Sequence, residues 1–313
     1  MSDSNLRASA PTASRATVAG VELGGTKVVV AVGDGPATRI PTQSPEITLA
    51  ETISILRREQ AEGRRFSAIG VASFGPVDIN PASPRYGRLL NTPKAGWVGA
   101  DLLEPLRQAF GVPLVLETDV NAAAVAEGLH AARGCDSYAY ITVGTGVGVG
   151  LIVAGRPVHG AGHPEAGHVL IRQRPDDHFP GICFAHGACA EGLFSGPALQ
   201  ARLGEPLDPL GADHPIWDRA GDYLAQLCMS LVLVTAPQRI VIGGGVGARP
   251  ELLQAARNHL FRHLNRYLDR YPTPREIETL LVPATLEHSG LKGAMLLAEA
   301  AIGPATSDVA RPS

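Results

Sequence analysis

The chain has 313 residues, of which 45% are hydrophobic and 18% charged, a globular composition with length enough for two domains. Its formal charge of −3 excludes the basic field that would hold nucleic acid or an anionic membrane surface. No apolar run approaches bilayer-spanning length, and the opening MSDSNLRASAPTASRAT lacks the apolar centre of a secretory signal, so a cytoplasmic protein is expected.

Residues 1–17 and 304–313 read as disordered tails. The first strand signal is ATVAGVELGG, followed by TKVVVAVGDG; two apolar runs around Gly-Gly predict a β-hairpin. ITLAETISILRREQAEG has the apolar spacing of an amphipathic helix, and FSAIGVASFG is a buried strand that ends in a Gly-Pro turn. A short helix over 102–110 precedes the strand VPLVLETD. The alanine-rich NAAAVAEGLHAARG predicts a helix stopped by Gly134. YAYITVGTGVGVGLIVAGRPV then repeats the opening pattern of strand, Gly-rich turn and strand. Residues 160–195 are irregular. A long apolar helix (WDRAGDYLAQLCMSLVLVTA), a strand (RIVIGGGV), a helix (PELLQAARNHLFRHLNRYL), a strand (LLVPATL) and a final helix (GLKGAMLLAEAA) complete the chain. Alternating strands and helices predict an α/β fold.

Three glycine-rich turns each follow a strand: Gly24-Gly25-Thr26-Lys27, Gly144-Thr145-Gly146 and Gly243-Gly244-Gly245. Glycine lets a phosphate approach main-chain N–H groups closely, and a threonine adds a hydroxyl donor. Taken singly, each is equally a tight turn. None fits the Walker A spacing, because Val28 follows Lys27, and none has the Rossmann spacing. The first two units lie about 120 residues apart, which suggests a duplicated architecture with a nucleotide between the halves.

These motifs together resemble the ROK branch of the hexokinase and actin-like superfamily. GVELGGTKVVVAVG is similar to its first phosphate motif, ITVGTGVGVGLIVAG to its second and RIVIGGGV to its adenosine-side motif. The resemblance continues through ASFGPVD, LLNTPKAGW, ETDVNAAAVAEG, HPEAGH and CAEGLFSGPAL, and so spans Val18 to Ala300. In detail it is nearest to bacterial ROK fructokinases, with Glu22, Asn91-Thr-Pro-Lys-x-Gly-Trp97 and Thr118-Asp119. It implies a two-lobed actin-like, hexokinase-like ATPase fold of duplicated ribonuclease H-like domains. The small lobe would be 18–117 with the C-terminal helix 290–303, and the large lobe 118–289 with a zinc knuckle at 160–195. The resemblance also implies an ATP- and Mg2+-dependent hexose kinase, a homodimer by analogy, and an ATP site that adds Pro197, Val246 and Gly247 to the three turns.

Phosphoryl transfer to a sugar needs a base beside the hydroxyl. Asp119 ends the strand VPLVLETD, on the edge of an α/β sheet where ligands bind. From its position alone it is as well a helix cap; the resemblance aligns it with the general base. Glu22, before the first glycine turn, is a candidate for holding magnesium through water or a solvated strand-end carboxylate. Asn91, Glu165, His168 and Glu191, with Gly75 lining the pocket, are candidate sugar contacts, and the resemblance assigns the two glutamates to the sugar.

His168, Cys183, His186 and Cys189 form H-x14-C-x2-H-x2-C, a set that suits tetrahedral zinc, although His159, His163 and His178 lie nearby. The resemblance implies a zinc knuckle here. Four filled positions make the metal structural, and its ligands flank Glu165 and Glu191. Cys135 and Cys228 read as packing residues. ROK repressors carry an N-terminal helix-turn-helix; only about 17 residues precede the first strand here, without helical pattern. Fructose is the expected substrate, with glucose, mannose or a catalytically weak sugar sensor as alternatives.

Overall fold

The computed structural model describes residues 17–208 and 210–303; the expected tails at 1–16 and 304–313 lie outside them. The first half runs β1 (Ala19–Leu23), β2 (Lys27–Val32), β3 (Thr38–Pro41), α1 (Pro45–Ala61), β4 (Ile69–Ser73), α2 (Glu104–Phe110) and β5 (Leu114–Thr118). The second runs α3 (Asp119–Gly128), β6 (Tyr138–Val143), β7 (Val147–Val153), β8 (Arg156–Pro157) and a 3-10 turn (Ala166–His168). It continues with α4 (Ala190–Phe194), α5 (Gly196–Leu203), α6 (Pro215–Thr235), β9 (Arg239–Gly243), α7 (Pro250–Leu264), α8 (Pro274–Leu280) and β10 (Leu281–Pro283). The last helix, α9 (Ser289–Ile302), returns to the first half.

Two five-stranded sheets result, in the orders β3-β2-β1-β4-β5 and β10-β9-β6-β7-β8. They share one plan. Each opens with an antiparallel hairpin (β1–β2, β6–β7), extends it with a third antiparallel strand, and adds two parallel strands on the other side of the first. The repetition expected from the two Gly-rich hairpins is therefore present in strand order and direction.

Each sheet has its own core. In the first, Leu56, Ile69, Val71, Leu103, Leu106 and fully buried Trp97 pack together. In the second, Ile141, Val149, Leu193, Phe194, Tyr223 and Leu260 do so, and Cys228 is buried among them. Between the sheets lie α3 and α9, whose contact is made of small residues: Ala72 of β4, Ala122 of α3 and Ala294 of α9. A Cβ at Gly293 would sit 1.7 Å from the carbonyl oxygen of Ala122, so this helix crossing requires glycine. The close approach brings the beginnings of both helices to the space between the sheets.

The helix after β5 is shorter than the sequence pattern suggests. It stops at Gly128, with Leu129 as its C-cap, and not at Gly134. At this end α3 packs closely on β6: a Cβ at Gly128 would lie 2.0 Å from the hydroxyl of Tyr138, so glycine is required there. Beside it, buried Glu127 accepts from the amides of Thr285 and Leu286 and from the hydroxyl of Ser289, tying α3 to the start of α9. The short α4, α5 and α8 and the edge strands β3 and β8 add to the expected elements. No helix among the described residues is long and apolar enough to cross a membrane.

Candidate active site

β5 delivers its last residues directly into α3. Thr118 is the N-cap, with extended backbone, and its hydroxyl accepts from the amide of Asn121 at 3.1 Å. Asp119 is the first helical residue. Its Oδ1 accepts from the Val120 amide at 2.9 Å, and no side chain among the described residues hydrogen-bonds its carboxylate. Desolvation, then the charge of Glu22 and more weakly that of Glu165, push Asp119 up to about 7.

Glu22, near the end of β1, reaches across to the first turn of α9, where its Oε2 accepts from the Leu291 amide at 3.1 Å. Desolvation raises its pKa against that bond and against the fields of His288, Lys27 and Arg39. Both helices thus start at a carboxylate, the arrangement that their dipoles favour.

The candidate sugar contacts come together on the opposite wall. A Cβ at Gly75 would lie 3.0 Å from Glu165 Oε1, and one at Gly146 would lie 2.5 Å from Glu191 Oε2. Glu191, on α4, accepts from the Val147 amide at 3.1 Å, which fixes it against the second glycine turn. Partial desolvation in the cleft and then the charge of Glu191 raise Glu165 to about 7, although 44% of its side chain still meets water. His168 ends the 3-10 turn that follows Glu165. Asn91 is exposed, and no hydrogen bond among the described residues ties it to this group.

Two histidines join the group without having been singled out by the sequence. His163 Nε2 accepts from the Val77 amide at 3.1 Å, so the ring proton resides on Nδ1, 3.5 Å from both the Pro164 carbonyl and Glu165 Oε1. Desolvation lowers the pKa of this ring. Its side chain is 7% exposed. His159 Nε2 bonds Glu117 Oε2 at 2.8 Å, and Glu117 Oε1 accepts from the Thr118 amide and Asn121 Nδ2 directly beneath Asp119. The segment that carries Glu165 is therefore anchored to the strand that carries Asp119. The HPEAGH motif contained the signal for His163; nothing in the sequence pointed to the pairing of His159 with Glu117.

The second and third glycine turns also meet. The Gly196 amide donates to the Gly144 carbonyl at 2.7 Å, and the amides of Val246 and Gly247 both donate to the carbonyl of Val143. Gly244 takes φ +85, a conformation that glycine adopts without strain. Thr145 sits in the second turn, and Pro197 is exposed in the first turn of α5 beside it. The first turn, Gly24 to Lys27, is held by the Gly24 amide on the Lys27 carbonyl and by Lys94, whose Nζ donates to the Gly25 carbonyl at 2.6 Å. Gly25 and Gly245 have open space on the side where a Cβ would project.

Farther along the same wall, Cys183 Sγ lies 3.5 Å from His168 Nδ1 and 3.7 Å from His186 Nδ1, and Cys189 Sγ lies 3.6 Å from His168 Nδ1. All four donor atoms fall within 4.8 Å of one another. Sulfur and nitrogen donors on a tetrahedral zinc stand about 3.6 Å apart, so the set fits that ion. Cys189 also caps α4, accepting from the Gly192 amide, two residues from Glu191.

Residues 18–301 match the model of the ROK family. The chain belongs to the ROK family. A protein of Bacillus subtilis (strain 168) is 40% identical over 290 residues, covering 90% of this chain and 95% of the relative. The fructokinase of Lactococcus lactis subsp. cremoris is 37% identical over 276 residues, covering 86% and 92% of the two chains. Among solved structures, the ROK hexokinase from Thermus thermophilus superposes with a TM-score of 0.70 at 30% identity, over 91% of this chain and 99% of that one. The fold is thus the two-lobed actin-like architecture of ROK sugar kinases.

Proposed function

We propose that this ROK protein is a cytoplasmic fructokinase, which transfers the γ-phosphoryl group of MgATP to the 6-hydroxyl of fructose. The observation that carries this reading is Asp119: a carboxylate raised to about 7 at the start of α3, with Thr118 as the N-cap, in the field of Glu22 and Glu165. The fructokinase relatives supply the substrate.

In this reading Glu165, Glu191, Asn91 and His168 bind the sugar hydroxyls, with Gly75 leaving room for the ring. Asp119 takes the proton of the 6-hydroxyl as its oxygen attacks the γ-phosphorus and the bond to ADP breaks. The three glycine turns, with Pro197, Val246 and Gly247, receive ATP on their backbone N–H groups. Bound Mg2+ neutralises phosphate charge; Glu22, which retains acceptor capacity beyond its bond to Leu291, would hold it through water. A structural zinc held by His168, Cys183, His186 and Cys189 would fix both Glu165 and Glu191. Residues 18–117 with 290–303, and residues 118–289, would act as lobes that close on the substrates and exclude water. We extend the family analogy to a homodimer.

The test is kcat/KM with MgATP for fructose, glucose and mannose. Fructose is expected to be preferred. A strong glucose preference overturns the substrate; sugar-dependent thermal stabilisation without any turnover overturns the kinase.

A further inference from the structure

A second donor cluster lies between α6 and α7, outside the carboxylate cleft. Asp222 of α6 and His259 and His263 of α7 place one donor atom each within 4.8 Å of one another. The two histidines are four residues apart, on one face of α7. His263 Nε2 lies 2.6 Å and His259 Nδ1 3.6 Å from Asp222 Oδ1. Nitrogen and oxygen donors on a tetrahedral ion stand about 3.3 Å apart, so His263, hydrogen-bonded to Asp222 at 2.6 Å, would give up that proton and draw back slightly to share an ion with it.

A surrounding shell orients the donors. His259 Nε2 lies 2.8 Å from Asp218 Oδ1, which makes Nε2 the N–H that donates and leaves the Nδ1 lone pair facing Asp222. Arg174 Nη2 is also 3.2 Å from His259 Nε2, and the shorter 2.8 Å contact to the Asp218 carboxylate, which can only accept, sets the tautomer. Arg174 Nε binds Asp222 Oδ2 at 2.6 Å and Nη1 binds Asp218 Oδ2 at 2.9 Å, so both carboxylates are held from behind. Burial opposes ionisation of Asp222, but the bonds from Arg174 and His263 outweigh it and keep the carboxyl below its usual range. Two aspartates face one arginine here, so carboxylates outnumber the guanidinium at the cluster. His259 Nδ1 faces Asp222 Oδ1 across 3.6 Å, a gap that an ion held by both would span.

We propose that Asp222, His259 and His263 form a second metal site, for a borderline divalent ion such as Zn2+, Co2+ or Ni2+, which clips α6 to α7. Imidazole and carboxylate donors suit these ions and not Mg2+. Arg174 extends the clip to the segment that follows the HPEAGH motif.

The test compares full-length wild type with His263→Ala, chosen because this side chain is 31% exposed and its loss leaves the core intact. Each protein is stripped with a chelator, reloaded with Zn2+, desalted and its zinc measured; Co2+ spectra are recorded in parallel. The variant is expected to hold one equivalent less. Its Co2+ spectrum should lose weak ligand-field bands and keep the thiolate charge-transfer band of the Cys183–Cys189 set. Added Zn2+ should raise the wild-type melting temperature by several degrees and the variant's by less. Equal zinc content in both proteins overturns the proposal, as does an NMR titration at saturating Zn2+ in which the His259 ring still takes up a proton on Nδ1.

Discussion

The hydroxyl of Thr118 accepts from the amide of Asn121 at 3.1 Å, while Asp119 accepts from the adjacent Val120 amide through Oδ1. Thr118 thus serves as the N-cap, and Oδ2 of Asp119 has no side-chain partner among the described residues, as the proposed base requires. Asp119→Asn is expected to lower kcat by about 10²–10⁴-fold, with a small change in the KM for sugar. Thr118→Ala should instead cost about 1 kcal/mol of stability, measured by chemical denaturation, and should reduce kcat less. Equal losses of kcat in the two variants would contradict this division of labour.

The raised pKa of Asp119 predicts opposite pH effects on activity and stability. The base works ionised, so kcat/KM should be flat above about pH 7 and fall tenfold per unit below it. For stability, the folded pKa of about 7 exceeds the ordinary 3.8. The protonated form is favoured by folding, and that contribution is full below 3.8 and lost as pH rises to about 7. Asp119→Asn should therefore melt several degrees above wild type at pH 8 and lose that advantage near pH 4. An advantage independent of pH would show that burial of this carboxylate is not its source.

Chelation of the knuckle metal should act on the sugar and not on the nucleotide. Glu165 lies three residues before His168 and Glu191 two after Cys189, so the proposed zinc would help to position both glutamates. A displacement of about 1 Å at such groups costs on the order of a hundredfold, so zinc-free protein should show a KM for sugar raised tenfold or more. Binding of a nucleotide analogue, followed by calorimetry, should hold. Full activity in zinc-free protein would remove the knuckle from the mechanism.

Local chemistry made much of this legible. The β1–β2 and β6–β7 hairpins, the three glycine turns and the spacing of His168, Cys183, His186 and Cys189 all follow from neighbouring residues, and each has its counterpart in the fold. What was hidden depends on distant partners. α3 ends at Gly128 and not at Gly134, and the need for glycine at 128 comes from Tyr138 on β6, ten residues away. Thr118 and Asp119 are both good caps, and only backbone geometry says which of them serves. His159 pairs with Glu117 across 42 positions, and His163 with Val77 across 86, separations at which no pattern survives.

That last pair carries the final prediction. The Val77 amide belongs to the loop after β4, whereas His163 belongs to the segment that follows β8, so their bond crosses between the two halves. Because Val77 takes Nε2, the Nδ1 proton faces both the Pro164 carbonyl and Glu165 Oε1, each at 3.5 Å, beside the wall formed by Gly75. His163→Ala removes both interactions and leaves the Val77 amide unpaired, a loss of about 1–2 kcal/mol. The KM for sugar should rise by roughly 5–30-fold, with the KM for MgATP unchanged. His163→Gln, whose amide accepts at one atom and donates at the other, should recover part of the loss. If the KM for MgATP rises in parallel, or if Gln does no better than Ala, His163 is a packing residue and Glu165 is oriented by other means.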